Sequence, residues 1–234
     1  MLEELMYGYT GWYASMLILV PAIILTFYAQ LKVKSSYREY SSVPTRNHIT
    51  GAQAARKMLD ANGLGHVQIN MISGELTDHY NPTNQTVNLS QGVCNATSIA
   101  AIGVACHECG HAIQHAMGYG PLKLRNFIIP ATRFGSGLAI PLFVAGLILS
   151  IPGLELLGIL FFSFSVVFQV VTLPVEFNAS RRALAQIVDL GIVEPEEKKG
   201  AKKVLSAAAM TYVAAMLMAL LQLLRLIIIA RGRR

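Results

Sequence analysis

Residues 104–115 read Val104-Ala-Cys-His-Glu-Cys-Gly-His-Ala-Ile-Gln-His115 and contain an H-E-x-x-H signature, His107-Glu108-Cys109-Gly110-His111. Two histidines four apart on a helix lie about 40° apart around its axis, so both can face one metal ion. Glu108 then stands beside that ion, where it can take a proton from water. This is the residue set of a zinc hydrolase. The flanks agree with a helix from Thr97 to Met117: no proline interrupts it, and Gly118-Tyr119-Gly120-Pro121 follows as a stop signal.

Around this helix the chain is unusually apolar. Of its 234 residues 53% are hydrophobic and 14% charged, too few charges for an ordinary soluble domain. The apolar excess is concentrated in runs. Thr10 to Leu31, Phe134 to Gly153 and Leu156 to Val175 carry no charge, and Leu205 to Ala230 carries only Arg225. Each is long enough to cross the ~30 Å hydrocarbon layer as a helix. The first run has acidic residues before it (Glu3, Glu4), basic ones after it (Lys32, Lys34, Arg38) and no small-residue cleavage site, so it reads as a retained anchor rather than a signal peptide.

The net charge of +6 does not point to nucleic acid, because most basic residues flank the apolar runs. There they set orientation. Residues 1–10 hold two Glu and no Lys or Arg, residues 32–126 hold eight Lys or Arg, and residues 176–203 hold six. The N-terminus is therefore expected outside and both basic segments in the cytoplasm. The tail Arg231-Gly-Arg-Arg234 disagrees with that rule if the last run spans.

Three cysteines on expected cytoplasmic segments read as reduced thiols. Cys106 and Cys109 form a C-x-x-C, but on a helix Cys109 points about 160° from His107 and cannot share its metal. Between the first anchor and the motif helix, Thr50-Gly-Ala-Gln53 fits a capping box opening a helix that ends at Asn62-Gly63. Val67 to Met71 alternates as a half-buried strand, Asp78 to Pro82 reads as a turn, and Thr86 to Ser90 reads as a short edge strand. Pro152-Gly153 divides the central apolar stretch, so residues 127–175 read as a transmembrane hairpin. The return segment is expected to be helical from Asn178 to Leu190 and to turn at Gly191.

Two histidines and a water leave one place in a tetrahedral zinc site. Six residues after His111 stands Met117, so the pattern with a third histidine there is absent. His115 continues the same helix face and reads as a residue supporting the ligands from behind, as a substrate or transition-state contact, or as a plain surface histidine. Glu176 is the stronger third ligand. An even number of spans separates it from His111, so the chain returns to the same membrane face. The competing reading makes it only the first polar residue after a span, or an acid favoured at a helix N-terminus.

Several stretches together resemble the YugP-type neutral zinc metallopeptidase family of prokaryotic membrane proteins. They are Leu76-Thr-Asp-His-Tyr-Asn-Pro82, Val104 to His115, Gly118-Tyr-Gly-Pro-Leu122, Leu173-Pro-Val-Glu-Phe-Asn-Ala-Ser-Arg-Arg-Ala183 and Ala209-Met-Thr-Tyr-Val-Ala-Ala215. The layout is also similar to the wider membrane gluzincins, including the CAAX prenyl proteases and the HtpX-type proteases. The resemblance implies a mainly α membrane protein, with transmembrane helices and a zincin-like α+β cytoplasmic metalloprotease domain. It implies one Zn²⁺ per chain on His107, His111 and Glu176, with Glu108 as general base of a zinc-dependent endopeptidase. Those enzymes place an acid a few residues after the ligand Glu, where this chain has Asn178 and Ser180, so Asn178 is expected to orient the ligands instead. His79, Tyr80, Asn88, His115 and Arg182 are the candidate substrate or transition-state contacts.

The organisation that follows is an anchor in residues 1–31, a metalloprotease segment in 32–126 and a hairpin in 127–175. A helix carrying the third ligand occupies 176–203, and a last transmembrane helix with a basic tail occupies 204–234. The partners expected are a peptide or membrane-protein substrate and the lipid bilayer, with no nucleic acid. The location expected is the prokaryotic inner membrane, multi-pass, with the site facing the cytoplasm. Two other classes compete: a non-proteolytic zinc-binding scaffold or chaperone-like protein, and an intramembrane protease. The scaffold has no use for Glu108, since structural zinc takes four protein ligands. The intramembrane protease needs an Asp in a span, and no apolar run has one.

Overall fold

The structure is a computed structural model that describes residues 15–232. The acidic N-terminal residues and the last two arginines, on which the orientation reading draws, lie outside them. The fold is mainly helical with one small sheet. In chain order the elements are α1 (Val20–Ser41), α2 (Gly51–Ala61), β1 (Gln68–Ile72), β2 (His79–Asn81), β3 (Thr86–Ser90), α3 (Gln91–Cys94), α4 (Ile99–Ala116), α5 (Gly120–Leu149), α6 (Pro152–Asp189) and α7 (Lys198–Arg231). Among the described residues four helical stretches are long and apolar enough to cross a membrane: Ser15–Ser41, α5, α6 and α7. The chain divides into two compact units.

Among the described residues the first unit holds 15–28, 124–173 and 211–232. Its α5–α6 hairpin turns at Ser150, which has a positive φ, and Pro152 opens α6, where its missing N–H costs nothing. Small residues let the two helices meet. A Cβ on Gly158 would come within 2.7 Å of the Ala139 carbonyl, and one on Gly135 within 3.2 Å of the Phe161 carbonyl. Close approach through glycine is how helices associate where lipid removes the hydrophobic drive. Many large apolar side chains of this unit, such as Phe134, Ile148 and Leu160, point outward.

The second unit holds residues 29–123 and 174–210. Helix α2 starts with the expected capping box: Gln53 N–H donates to Thr50 Oγ1 and Thr50 N–H to Gln53 Oε1. Ser98 caps α4 by accepting from Ala101 N–H. Helix α4 is buried along most of its length in a core with Met58, Leu59, Val87, Leu89, Ile187 and Ile192. Burial of each such side chain is worth roughly 1.5–3 kcal/mol.

The sheet order is β1-β3-β2, with β3 parallel to β1 and antiparallel to β2. Two sequence expectations change here. Residues 86–90 form the central strand, not an edge, and all five are buried; their alternation describes two different faces, not one wet face. The expected turn at Asp78 to Pro82 is mostly strand: β2 is the edge, and the turn comes after it. The return helix also does not begin at Asn178. It continues α6 through Pro174 without a break.

Candidate active site

Helices α4 and α6 cross at Gly110, where a Cβ would lie 2.6 Å from the Ala179 carbonyl oxygen and 3.0 Å from its Cα. A larger residue there would push the two helices apart. The crossing brings Glu176, one turn before Ala179, onto the face of α4 that carries His107 and His111. Glu176 Oε2 lies 3.4 Å from His107 Nε2 and 3.5 Å from His111 Nε2. The three ligating atoms all lie within 4.8 Å of one another, the two rings are nearly perpendicular at 83°, and Glu176 is 4% exposed. Burial by itself pulls the His111 pKa down. The hydrogen bond to Glu176, aided by the charges of Glu108 and Glu176, outweighs it, so the net shift is upward from 6.5.

Each histidine is oriented from behind. His107 Nδ1 is 3.1 Å from Ser180 Oγ, and His111 Nδ1 is 3.0 Å from Gln114 Oε1. These contacts at Nδ1 leave the Nε2 of each ring on the side of Glu176. Gln114 in turn donates through Nε2 to the Val175 carbonyl at 2.7 Å and to Asn178 Oδ1 at 3.0 Å, and Arg182 Nε donates to the same Asn178 oxygen at 2.8 Å. Asn178 therefore contacts Gln114 rather than either histidine, and Arg182 is bound into this chain of hydrogen bonds. Sequence reading missed Ser180 and Gln114 as partners. The available signal was spacing: Ser180 is one turn after Glu176, and Gln114 is one turn after His111.

Glu108 is buried, and its Oε2 accepts the Tyr80 N–H at 2.9 Å. The Tyr80 hydroxyl lies 2.8 Å from His115 Nδ1. Tyr80 thus stands at the site, and His115 is tied to it rather than to the cluster of ligating atoms. His79 and Asn88 are register partners on the opposite face of the sheet from Tyr80, and they sit 3.3 Å from each other (Asn88 Nδ2 to His79 Nε2). The structure does not bring these two together with His107, Glu108 and His111.

The family described as "Putative neutral zinc metallopeptidase" matches residues 15–231. The chain belongs to this family. It is 50% identical over 210 residues to "Putative membrane protease YugP" of Bacillus subtilis (strain 168), across 90% of this chain and 93% of that protein. No solved structure matches it.

A zinc metallopeptidase implies zinc, and the donor set fits it. Bonds of about 2.0–2.2 Å from a tetrahedral zinc put neighbouring ligand atoms roughly 3.3–3.6 Å apart. Two of the three separations, 3.4 and 3.5 Å from Glu176 Oε2 to the two Nε2 atoms, fall in that interval, and all three atoms lie within 4.8 Å of one another. The chemistry of the set, two imidazoles and one carboxylate, is also that of a zinc site with one open place. The cysteines take no part: Cys106 and Cys109 are fully buried, and burial pushes the Cys106 thiol up to about 12 and the Cys109 thiol well above 9.0, so both stay protonated.

Proposed function

We propose that this chain is a membrane-bound, zinc-dependent endopeptidase, with His107, His111 and Glu176 holding one Zn²⁺ and Glu108 as general base. The convergence of the three ligating atoms beside a buried carboxylate carries this reading. Zinc bound there supplies Lewis-acid polarisation and lowers the pKa of water to ~7. Glu108 takes the proton from the attacking water as it adds to the peptide carbonyl, and then delivers that proton to the leaving amine nitrogen. Ser180 and Gln114 would hold the proton on Nδ1 of the two imidazoles and so leave each Nε2 lone pair for the metal. A non-proteolytic zinc scaffold is the weaker reading, because three donors with a base alongside leave a position for substrate that a closed structural site lacks.

The arrangement of α4 against a three-stranded sheet supports a zincin-like α+β domain built from residues 32–126 and 176–203. The hairpin of 127–175, the anchor of 1–31 and the helix of 204–234 then lie in a prokaryotic inner membrane, with the site facing the cytoplasm as the flanking charges require. Peptides and membrane-protein segments are the substrates that suit such a location.

The test uses detergent-purified full-length protein. It is expected to carry about one zinc per chain and to hydrolyse fluorescein-labelled casein, and a chelator should abolish the hydrolysis until zinc is restored. Hydrolysis unaffected by complete metal removal overturns the assignment.

A further inference from the structure

Strand β2 has one N–H that its own sheet does not use. Tyr80 is the register partner of Val87 on β3, yet its N–H is donated to Glu108 Oε2 on α4. The other end of the same residue is also fixed on α4, where the phenol meets His115 Nδ1 and the two rings sit 5.8 Å apart at 55°. Glu108 and His115 are seven residues apart, two helical turns, so they lie on one stripe about 10.5 Å apart along the axis. A single tyrosine spans that stripe with its main chain at one end and its hydroxyl at the other.

This geometry bears on how Glu108 can work. A glutamate has three rotatable side-chain bonds, and a base held in many rotamers spends little time aimed at a reacting water. A main-chain donor on a paired strand selects one rotamer. It occupies one lone pair of Oε2 and leaves Oε1 and the remaining lone pair of Oε2 for the proton to be transferred. Strand β2 is only three residues long, so it needs a further anchor to keep that N–H in place. The phenol on His115 is such an anchor, and it accounts for a polar pair on a helix whose neighbouring positions are core.

We propose that Tyr80 is the positioning residue of Glu108: its N–H fixes the carboxylate, and its hydroxyl, held by His115, fixes the strand. The proposal rests on Glu108 being the base of the peptidase reading above, and His115 acts through Tyr80 rather than on the substrate.

The test reads the contact itself before it reads catalysis. In full-length, metal-free protein labelled with ¹⁵N-tyrosine, the nine tyrosine amides include that of Tyr80, assigned by its disappearance in Tyr80→Phe. Its amide exchange should be slow in wild type, at least tenfold faster in Glu108→Ala and near wild type in Glu108→Gln, which keeps an acceptor and reports that the fold survives. His115→Ala should give an intermediate rate. Equal exchange in wild type and Glu108→Ala overturns the proposal. In the zinc-loaded protein acting on fluorescein-labelled casein, Tyr80→Phe and His115→Ala should each lower kcat roughly three- to tenfold with KM unchanged, the worth of one hydrogen bond. The double variant should be no worse than the poorer single, because both remove the same contact. Additive losses, or a loss expressed only in KM, also overturn it. Wild type that fails to hydrolyse casein with zinc present counts against the peptidase reading instead, and the exchange pattern stands apart from that result.

Discussion

Gly110→Ala is expected to separate metal binding from folding. The added Cβ would stand 2.6 Å from the Ala179 oxygen, and ordinary contact begins at 3.4 Å, so α4 and α6 must part by about 0.8 Å at the crossing. Ala179 is three residues from Glu176 on the same helix, and the displacement carries the carboxylate with it. Separations of 3.4 and 3.5 Å would then open to about 4.2–4.3 Å, whereas zinc sites hold their bond lengths to within about 0.2 Å. Overpacking costs roughly 1–3 kcal/mol, while replacing a helical glycine with alanine returns about 0.8–1 kcal/mol. The metal-free protein should therefore lose no more than about 2 kcal/mol of stability, and zinc affinity should fall at least tenfold. Gly103→Ala on the same helix is the control, because its Cβ would meet the Ala201 Cβ at an ordinary 3.6 Å. It should bind zinc as wild type does. The assay is zinc titration against a chromophoric chelator, beside thermal unfolding of metal-free protein. If Gly110→Ala binds zinc within threefold of Gly103→Ala, the α4–α6 crossing does not set the ligand geometry.

Glu108→Gln should keep its zinc and lose roughly 10²–10⁴ in kcat, whereas Glu176→Ala should lose zinc affinity and activity together; equal metal loss in the two would reverse the assigned roles. Ser180→Ala and Gln114→Ala should each weaken zinc binding about 10–100-fold with the three ligands intact, measured by the same titration. Zinc affinity should rise with pH across the neutral range and drop on acidification, since the metal needs a neutral His111 and that ring's pKa is raised above 6.5 in the metal-free protein. Affinity that is flat between about pH 6 and 8 would remove His111 from the ligand set. A cysteine introduced at Lys34 or Lys198 should resist an impermeant thiol reagent in intact cells, and labelling from outside would invert the proposed orientation.

The parts of this fold that sequence made legible are those fixed by local chemistry. The Thr50–Gln53 capping box, the break at Pro152 and the helix through His107 and His111 depend on residues within one turn of each other, and each is where the pattern puts it. The sheet was harder to read because strand order is a long-range property. Thr86 to Ser90 alternates like an exposed edge, but its polar face is buried between the neighbouring strands, with Asn88 near both Asn70 and His79. The orienting partners were illegible for a related reason. Ser180 becomes a partner of His107 only once α6 is laid across α4, and Gln114, one turn after His111, has a spacing that does not by itself say it holds the ring.

The continuity of α6 explains how Glu176 reaches His107 and His111 from so far along the chain. Glu176, Ala179, Ala183 and Ile187 follow helical spacing and share one stripe, and the last three are fully buried in the second unit. The face that delivers the carboxylate is therefore the face that packs into the core. Sliding α6 along α4 by one turn would take Ala179 off Gly110 and Ile187 out of its packing before Glu176 could reach a different partner. The register that brings Glu176 to His107 and His111 is held by apolar burial and by the Gln114 bond to the Val175 carbonyl, not by the metal. A site built this way is preorganised: packing brings Glu176 Oε2 to 3.4 and 3.5 Å from the two Nε2 atoms before any metal enters.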